Sequence, residues 1–322
     1  MRVCPKLSVK TSTPFIRWLL SVILHAPIVL FVYNRPWHTR QTVEALARNT
    51  LARESDLVVY SDGPRSDADR SLVEDVRQYV RTISGFRNVE VIERDGNWGL
   101  AKSIIAGVTE AVNRHGRVIV LEDDMITSPF FLHFMNDALE VYREQLEVVC
   151  IHGYTLPVRE VLPEYFLLRG ADCWGWATWR RGWDIFESDG LHLLDELKRR
   201  RLTHAFDFDG TYPYTQMLED QTSGRNDSWA IRWHASAFLA GKFTLYSGRS
   251  HVMNIGLDGS GCHCGTAVLQ GELAEEYVSL PLLPPVEDRR ARQAYVGYHR
   301  RNSRMSLPRR LMRRVRDWGL HK

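Results

Sequence analysis

Two nucleotide signatures are missing from this chain. No Gly-x-Gly-x-x-Gly follows its first apolar run, and no Gly-x-x-x-x-Gly-Lys-Ser/Thr occurs anywhere in its 322 residues. Both motifs place glycine where backbone must approach a phosphate, so their absence argues against a dinucleotide dehydrogenase and a P-loop ATPase. Cysteine is also scarce. Five residues, at positions 4, 150, 173, 262 and 264, form an odd and scattered set that fits a reducing, cytoplasmic setting better than a secreted disulfide framework. Cys262-His263-Cys264 lacks a second ligand pair at metal-binding spacing, which leaves structural zinc a weak reading. Long apolar runs are absent too. Phe15 to Leu24 is interrupted by Arg17, is too short to span a bilayer and has no small-residue cleavage site, so residues 1–26 read as a poorly ordered or interfacial leader. A net charge of +3 gives no reason to expect a nucleic-acid partner.

What is present is a chain that is 44% hydrophobic and 25% charged, the balance of a globular protein with room for one large or two modest cores. Ile28 to Tyr33 is a buried strand, and Pro36 opens a helix with Val43, Leu46 and Ala47 inward. Leu57 to Tyr60 is a second strand, Ala68 to Arg81 a second helix, and Val89 to Ile92 a third strand. Asn97-Trp98-Gly99-Leu100 starts a third helix that runs to about His115, with Leu100, Ile104 and Val108 at four-residue spacing. A fourth strand, a helix from Ser128 to about Gln145, and Val148 to Ile151 follow. Repeated strand–helix alternation predicts an α/β fold with a mostly parallel central sheet flanked by helices.

The fourth strand, Val118-Ile119-Val120-Leu121, ends in Glu122-Asp123-Asp124. Two carboxylates about 4 Å apart repel by roughly 1 kcal/mol in water and about 4 kcal/mol at an effective dielectric near 20, so a partly buried cluster needs a counter-charge. No Lys or Arg adjoins it on the C-terminal side, and a divalent cation carrying phosphate would supply one. The competing reading makes Asp123 or Asp124 a helix N-cap, a role that Ser128 fills better. Asn34, Arg35 and Asp62 also follow strands, and in open α/β sheets ligands gather past the carboxyl ends of the strands. Asp62 before Gly63-Pro64 is equally compatible with turn chemistry.

The ordered set Tyr33-Asn34-Arg35, Ser61-Asp62-Gly63, Asn97-Trp98-Gly99-Leu100, Glu122-Asp123-Asp124 and Asp172-Cys173-Trp174-Gly175-Trp176 resembles GT-A glycosyltransferases. Within that fold it is most similar to the inverting N-acetylglucosaminyltransferases that initiate complex N-glycans, and to bacterial sugar transferases of like plan. The resemblance covers roughly residues 27–265. It implies a nucleotide-sugar donor with Arg35 and Asp62 near base and ribose, Asn34 among the donor-binding residues, and Glu122 and Asp123 on the ribose or sugar side. It implies Asp124 on Mn2+ or Mg2+, His263 as a further ligand from the loop Ser250 to Gly265, and Trp174, Gly175 and Trp176 beside the donor sugar; an ordinary loop histidine and a tryptophan core cluster stand as the competing readings of those residues. It implies Asp227 as general base, although Ser228 intervenes before Trp229, and an N-cap role for Asp227 stands beside that one.

The expected organisation is a leader (1–26), a GT-A domain (27–280, with a nucleotide half to 152 and an acceptor half after it) and a linker with a basic tail (281–322). In the tail, Leu311, Met312, Val315 and Trp318 share a helical face, suited to peripheral contact with an anionic membrane through 300–322 or to docking on its own domain. Asp184 to about Thr203 reads as a helix with Leu191, Leu194 and Leu197 inside. The expected activity is metal-dependent, inverting transfer of a sugar to a hydroxyl of a glycan or glycolipid. The alternatives are a sugar-phosphate nucleotidyltransferase, which lacks its glycine-rich basic loop here, and a membrane- or nucleic-acid-binding protein led by the tail.

Overall fold

The computed structural model describes residues 25–259 and 272–305. Ile28–Val32 (β1), Pro36–Ala47 (α1), Asp56–Ser61 (β2), Arg70–Val80 (α2), Asn88–Glu93 (β3), Leu100–His115 (α3) and Arg117–Glu122 (β4) alternate as the periodicity predicts. Met125–Thr127 (β5), Phe131–Val141 (α4), Val148–His152 (β6), Tyr165–Arg169 (β7), Trp176–Trp179 (β8), Arg180–Trp183 (α5) and Gly190–Arg199 (α6) come next. Thr203–Phe206 (α7), Tyr214–Thr222 (α8), Trp229–Leu239 (α9), Phe243–Ser247 (β9), Val252–Asn254 (β10) and Arg289–Met305 (α10) complete the described chain.

The main sheet has eight strands in the order β3-β2-β1-β4-β8-β6-β9-β7. From β3 to β4 the strands are parallel; β8 then enters antiparallel between β4 and β6, and β7 closes the far edge antiparallel to β9. The chain steps outward from β1 to β3 and returns to pair β4 on the other side of β1. That reversal is the switch point, and it opens a crevice above the carboxyl ends of β1 and β4. Alternation along β1 divides the core. Ile28, Leu30 and Val32 pack into a cluster shared with α1, α2 and α4, while Val29 and Phe31 face one built from α3 and four tryptophans.

Several local expectations need correction. The fourth helix begins at Phe131, not Ser128, because Met125–Thr127 pairs with Val252–Asn254 in a separate two-stranded ribbon. Three-residue strands carry too little periodicity to be seen in sequence. Trp176–Trp179, which continues from the Asp172–Trp176 motif, is an interior strand, and Tyr165–Arg169 is the edge strand. Leu100 and Leu191 are exposed at the first turns of their helices, and Leu193, Leu194 and Leu197 form the inner face of α6. Part of the expected linker is helix α10, whose Ala291, Tyr295 and Val296 pack on Phe166 and Tyr246 of the sheet. The leader up to residue 24, Cys262-His263-Cys264 and the tail from residue 306 lie outside the described residues. Among described residues, no helix is long and apolar enough to cross a membrane.

Trp176 is 1% exposed and lies against Trp229, Trp233 and Trp183 at ring separations of 5.5, 6.0 and 5.8 Å. Trp176→Ala is expected to cost about 3–5 kcal/mol in denaturant unfolding, the scale of an unfilled aromatic cavity. Burial also depresses His152, His234, His251 and His299, the last two to about 4 from 6.5. Above pH 6.5 these imidazoles are neutral in both folded and unfolded chains. As pH falls below 6.5 the unfolded chain takes up protons that the folded chain refuses, so stability declines down to about pH 4, by on the order of 3 kcal/mol for His251 alone. Thermal melts across that window should show the loss.

Candidate active site

The acids ending β4 lie at the switch point. Asp123 and Asp124 are both 5% exposed. Part of their counter-charge is internal and comes from a residue distant in sequence, where the sequence offered no Lys or Arg on the C-terminal side. Arg35, just past β1, directs Nη2 to Asp123 Oδ1 and to Asp124 Oδ2, the latter at 2.8 Å. Burial works against the guanidinium charge, but Asp123 and then Asp124 hold its pKa above the ordinary value. Burial likewise pushes Asp123 up against the pull of Arg35. Glu122 is pushed up to about 8 by burial, with repulsion from Asp124 and Asp123 adding to it.

The turn carrying the acids is held from outside. Thr42 of α1 donates its hydroxyl to the Asp123 carbonyl at 2.8 Å and accepts from Met125 N at 3.0 Å. Ile255 N donates to the Asp124 carbonyl at 2.9 Å, and a Cβ on Gly256 would stand 2.0 Å from Asp124 Oδ2. Glycine is therefore required where the segment after β10 crosses the acids. The same segment is tied to α1 by Asp258 Oδ2 and His38 Nε2 at 3.1 Å. Thr42, His38 and Gly256 escaped sequence reasoning because no local pattern marks them.

One guanidinium does not balance the cluster. Asp124 Oδ1 is buried and has no hydrogen-bond partner among the described residues, while Oδ2 is held by Arg35. Among described residues, no three His, Cys, Asp or Glu side chains form a closed metal cage. An oxygen-only site with one free carboxylate oxygen and surplus negative charge fits a hard cation that takes its remaining ligands from phosphate and water.

The other expected residues divide. Asp62 is 7% exposed and its carboxylate is taken up by protein: Oδ1 accepts from Trp98 N at 2.8 Å, and Oδ2 from Gly99 N at 2.9 Å and Asn97 Nδ2 at 3.1 Å. It anchors the loop entering α3. Asn34 donates to Asp69 at 3.0 Å. Past the last β4–β8 pair, Val120 with Trp176, the chain brings Gly175 against Leu121, and half-buried Trp174 follows it toward the acids. Gly175 has φ +58, and a Cβ there would meet Val252 at 2.5 Å. Trp176 is a correction: its ring is enclosed by other tryptophans and presents no face to a sugar. Asp227 is not the N-cap of α9, a role taken by Ser228, whose hydroxyl accepts from Ile231 N at 3.3 Å. Its side chain is 74% exposed, 3.0 Å from Arg232 Nη2, and lines an open groove of about 600 Å3 between α3 and α9 with Lys102, Ile105 and Glu110. His263 lies outside the described residues.

Residues 28–184 match the model of the family described as Glycosyl transferase family 2. That segment is just under half of the chain. The matched segment carries the expected α/β architecture, a mostly parallel sheet flanked by helices. Among solved structures the chain is similar to TarS of S. aureus, at 18% identity and a TM-score of 0.30 over 45% of this chain and 24% of TarS, so it spans about a quarter of that protein. It is also similar to the mannosyltransferase PcManGT from Pyrobaculum calidifontis, solved with GDP-Man and Mn2+, at 12% identity and a TM-score of 0.34 over 70% and 74% of the two chains. No curated protein matches the chain.

Gly256→Ala is expected to leave the fold intact by circular dichroism, since the strain falls on the loop over Asp124. Calorimetric titration of the same variant with Mn2+ and nucleotide-sugar should show donor binding weakened by about tenfold or more, roughly 1.4 kcal/mol.

Proposed function

We propose that this protein is a glycosyltransferase that moves a sugar from a nucleotide-diphosphate-sugar to a hydroxyl of a glycan or glycolipid, with inversion and with a divalent cation held by Asp124. What carries the reading is the uncompensated acidic cluster at the switch point, with its free Asp124 oxygen. A bound Mn2+ or Mg2+ supplies Lewis-acid neutralisation of the departing diphosphate. Arg35, Glu122 and Asp123 face the donor, and Asn34 and Asp62 shape the nucleotide end of the crevice, Asp62 through the loop that it anchors. Trp174 and Gly175 border the donor sugar.

Asp227 takes the proton of the attacking hydroxyl, and its contact with Arg232 orients the carboxylate.

Asp124→Ala should abolish transfer, and Mn2+-dependent nucleotide-sugar binding with it, while the thermal melt keeps the wild-type shape. Asp227→Asn should lower kcat by about 10²–10⁴-fold with donor affinity unchanged. Full activity of the purified protein in excess chelator would overturn the metal role, and an Asp227→Asn enzyme with normal kcat would overturn the base.

A further inference from the structure

On the far side of β4 from Arg35, the ends of β8, β6 and β9 follow one another along the same sheet edge. Strands lie about 4.8 Å apart, so β8 is one step from the acids and β6 two, the distance over which a sugar and its acceptor would extend. The side chains there are aromatic around one carboxylate. Asp172, in the loop before β8, accepts from Cys173 N at 3.0 Å and from the Tyr246 hydroxyl at 3.2 Å, and its side chain stays 35% exposed. His152, at the end of β6, lies 3.6 Å from it but is no ion pair. Its Nε2 accepts from Trp174 N at 3.0 Å and burial keeps the ring neutral.

Tyr154 is 4% exposed, and its hydroxyl has no hydrogen-bond partner among the described residues. A buried phenol left without a partner is costly, and a ligand supplying one would recover that cost. Its ring stands edge-on to Trp174, with centroids 4.8 Å apart. Burial, then the nearby Tyr298 phenol and the Asp172 carboxylate, raise the Tyr154 phenol above its ordinary value. Tyr298 belongs to α10, which is fixed beside this segment by the Tyr295 hydroxyl, 3.4 Å from Leu156 N, and by Tyr295 packing on Tyr246. Asp172 also acts on Tyr212, Tyr214 and His299, whose neutral imidazole faces the same cluster.

We propose that Asp172, Tyr154 and Trp174, with Tyr298 as the facing wall, form the acceptor subsite, and that it takes an uncharged pyranoside. The proposal rests on the transferase reading. A carboxylate that accepts hydroxyl protons, a phenol that lacks a partner and ring faces for C–H surfaces suit a neutral sugar. The groups facing Asp172 are phenols and neutral imidazoles, so a second anion, as on a uronic acid or sugar phosphate, would be repelled. Helix α9 connects this subsite to the proposed base: His234 Nδ1 donates to the Ala171 carbonyl at 2.6 Å, and Asp227 stands two residues before the same helix begins. Helix α10 lies beyond the family-matched segment, as does Asp227.

The test is saturation-transfer NMR on the full chain with methyl glycosides of the common hexoses, their disaccharides and the corresponding methyl uronides. Wild type should show transfer from at least one neutral glycoside and none from the uronides. Asp172→Asn and Tyr154→Phe should weaken binding by about tenfold or more, and Tyr298→Ala, at a half-buried position, should weaken it where a core variant fails to fold. Equal binding by the variants, preference for a uronide, or no neutral glycoside bound at millimolar concentration would overturn the subsite. Titration of the same samples with nucleotide-sugar and Mn2+ separates the two readings. Donor binding unchanged in the variants places the loss at the acceptor; glycoside binding that depends on Asp172 in a protein that binds no nucleotide-sugar keeps the subsite and removes the transferase chemistry.

Discussion

The interaction on which the crevice depends is the contact of one guanidinium with two buried carboxylates, beside a third that is half-buried. Arg35 and Asp123 are 88 residues apart in sequence and meet because β1 and β4 are neighbours. Removing such a counter-charge would leave buried carboxylates unpaired, a change typically costing about 3–5 kcal/mol. The pairing is nonetheless incomplete, with Asp124 Oδ1 unpartnered among the described residues and Glu122 held toward its protonated form. Such a site is stable enough to fold and still short of positive charge. Functional sites commonly hold groups in that condition, since a fully satisfied cluster has nothing left with which to bind.

The surroundings keep that cluster from relaxing. Thr42 clamps the backbone of the acidic turn from α1, and the segment through Gly256 closes it from β10. Asp62 spends its carboxylate on the amides of Trp98 and Gly99, bringing the start of α3 to the crevice. Gly63 lets this happen, because a Cβ there would meet the Gly96 backbone at 2.6 Å. Each contact trades the freedom of a loop for a fixed arrangement of donors around the acids.

The tryptophans divide between core and crevice for the same reason that strands alternate. Trp176 and Trp179 lie in β8 and are buried against opposite faces of the sheet, Trp176 among the tryptophans below α3 and Trp179 toward α4. Trp174, just outside the strand, escapes enclosure. Residue type alone does not separate them; the position where β8 begins does.

Much of the nucleotide half was legible in the sequence. The strand–helix alternation from Ile28 to Ile151 and the acids closing the fourth strand follow from local hydrophobic periodicity, which reports on burial within a few residues. Tertiary structure alone decided that Arg35 answers those acids, that Asp62 serves the protein, that β8 runs antiparallel between β4 and β6, and that α10 covers the far half of the sheet. These are consequences of strand order, and strand order is set by packing between segments too distant in the chain for any local pattern to encode.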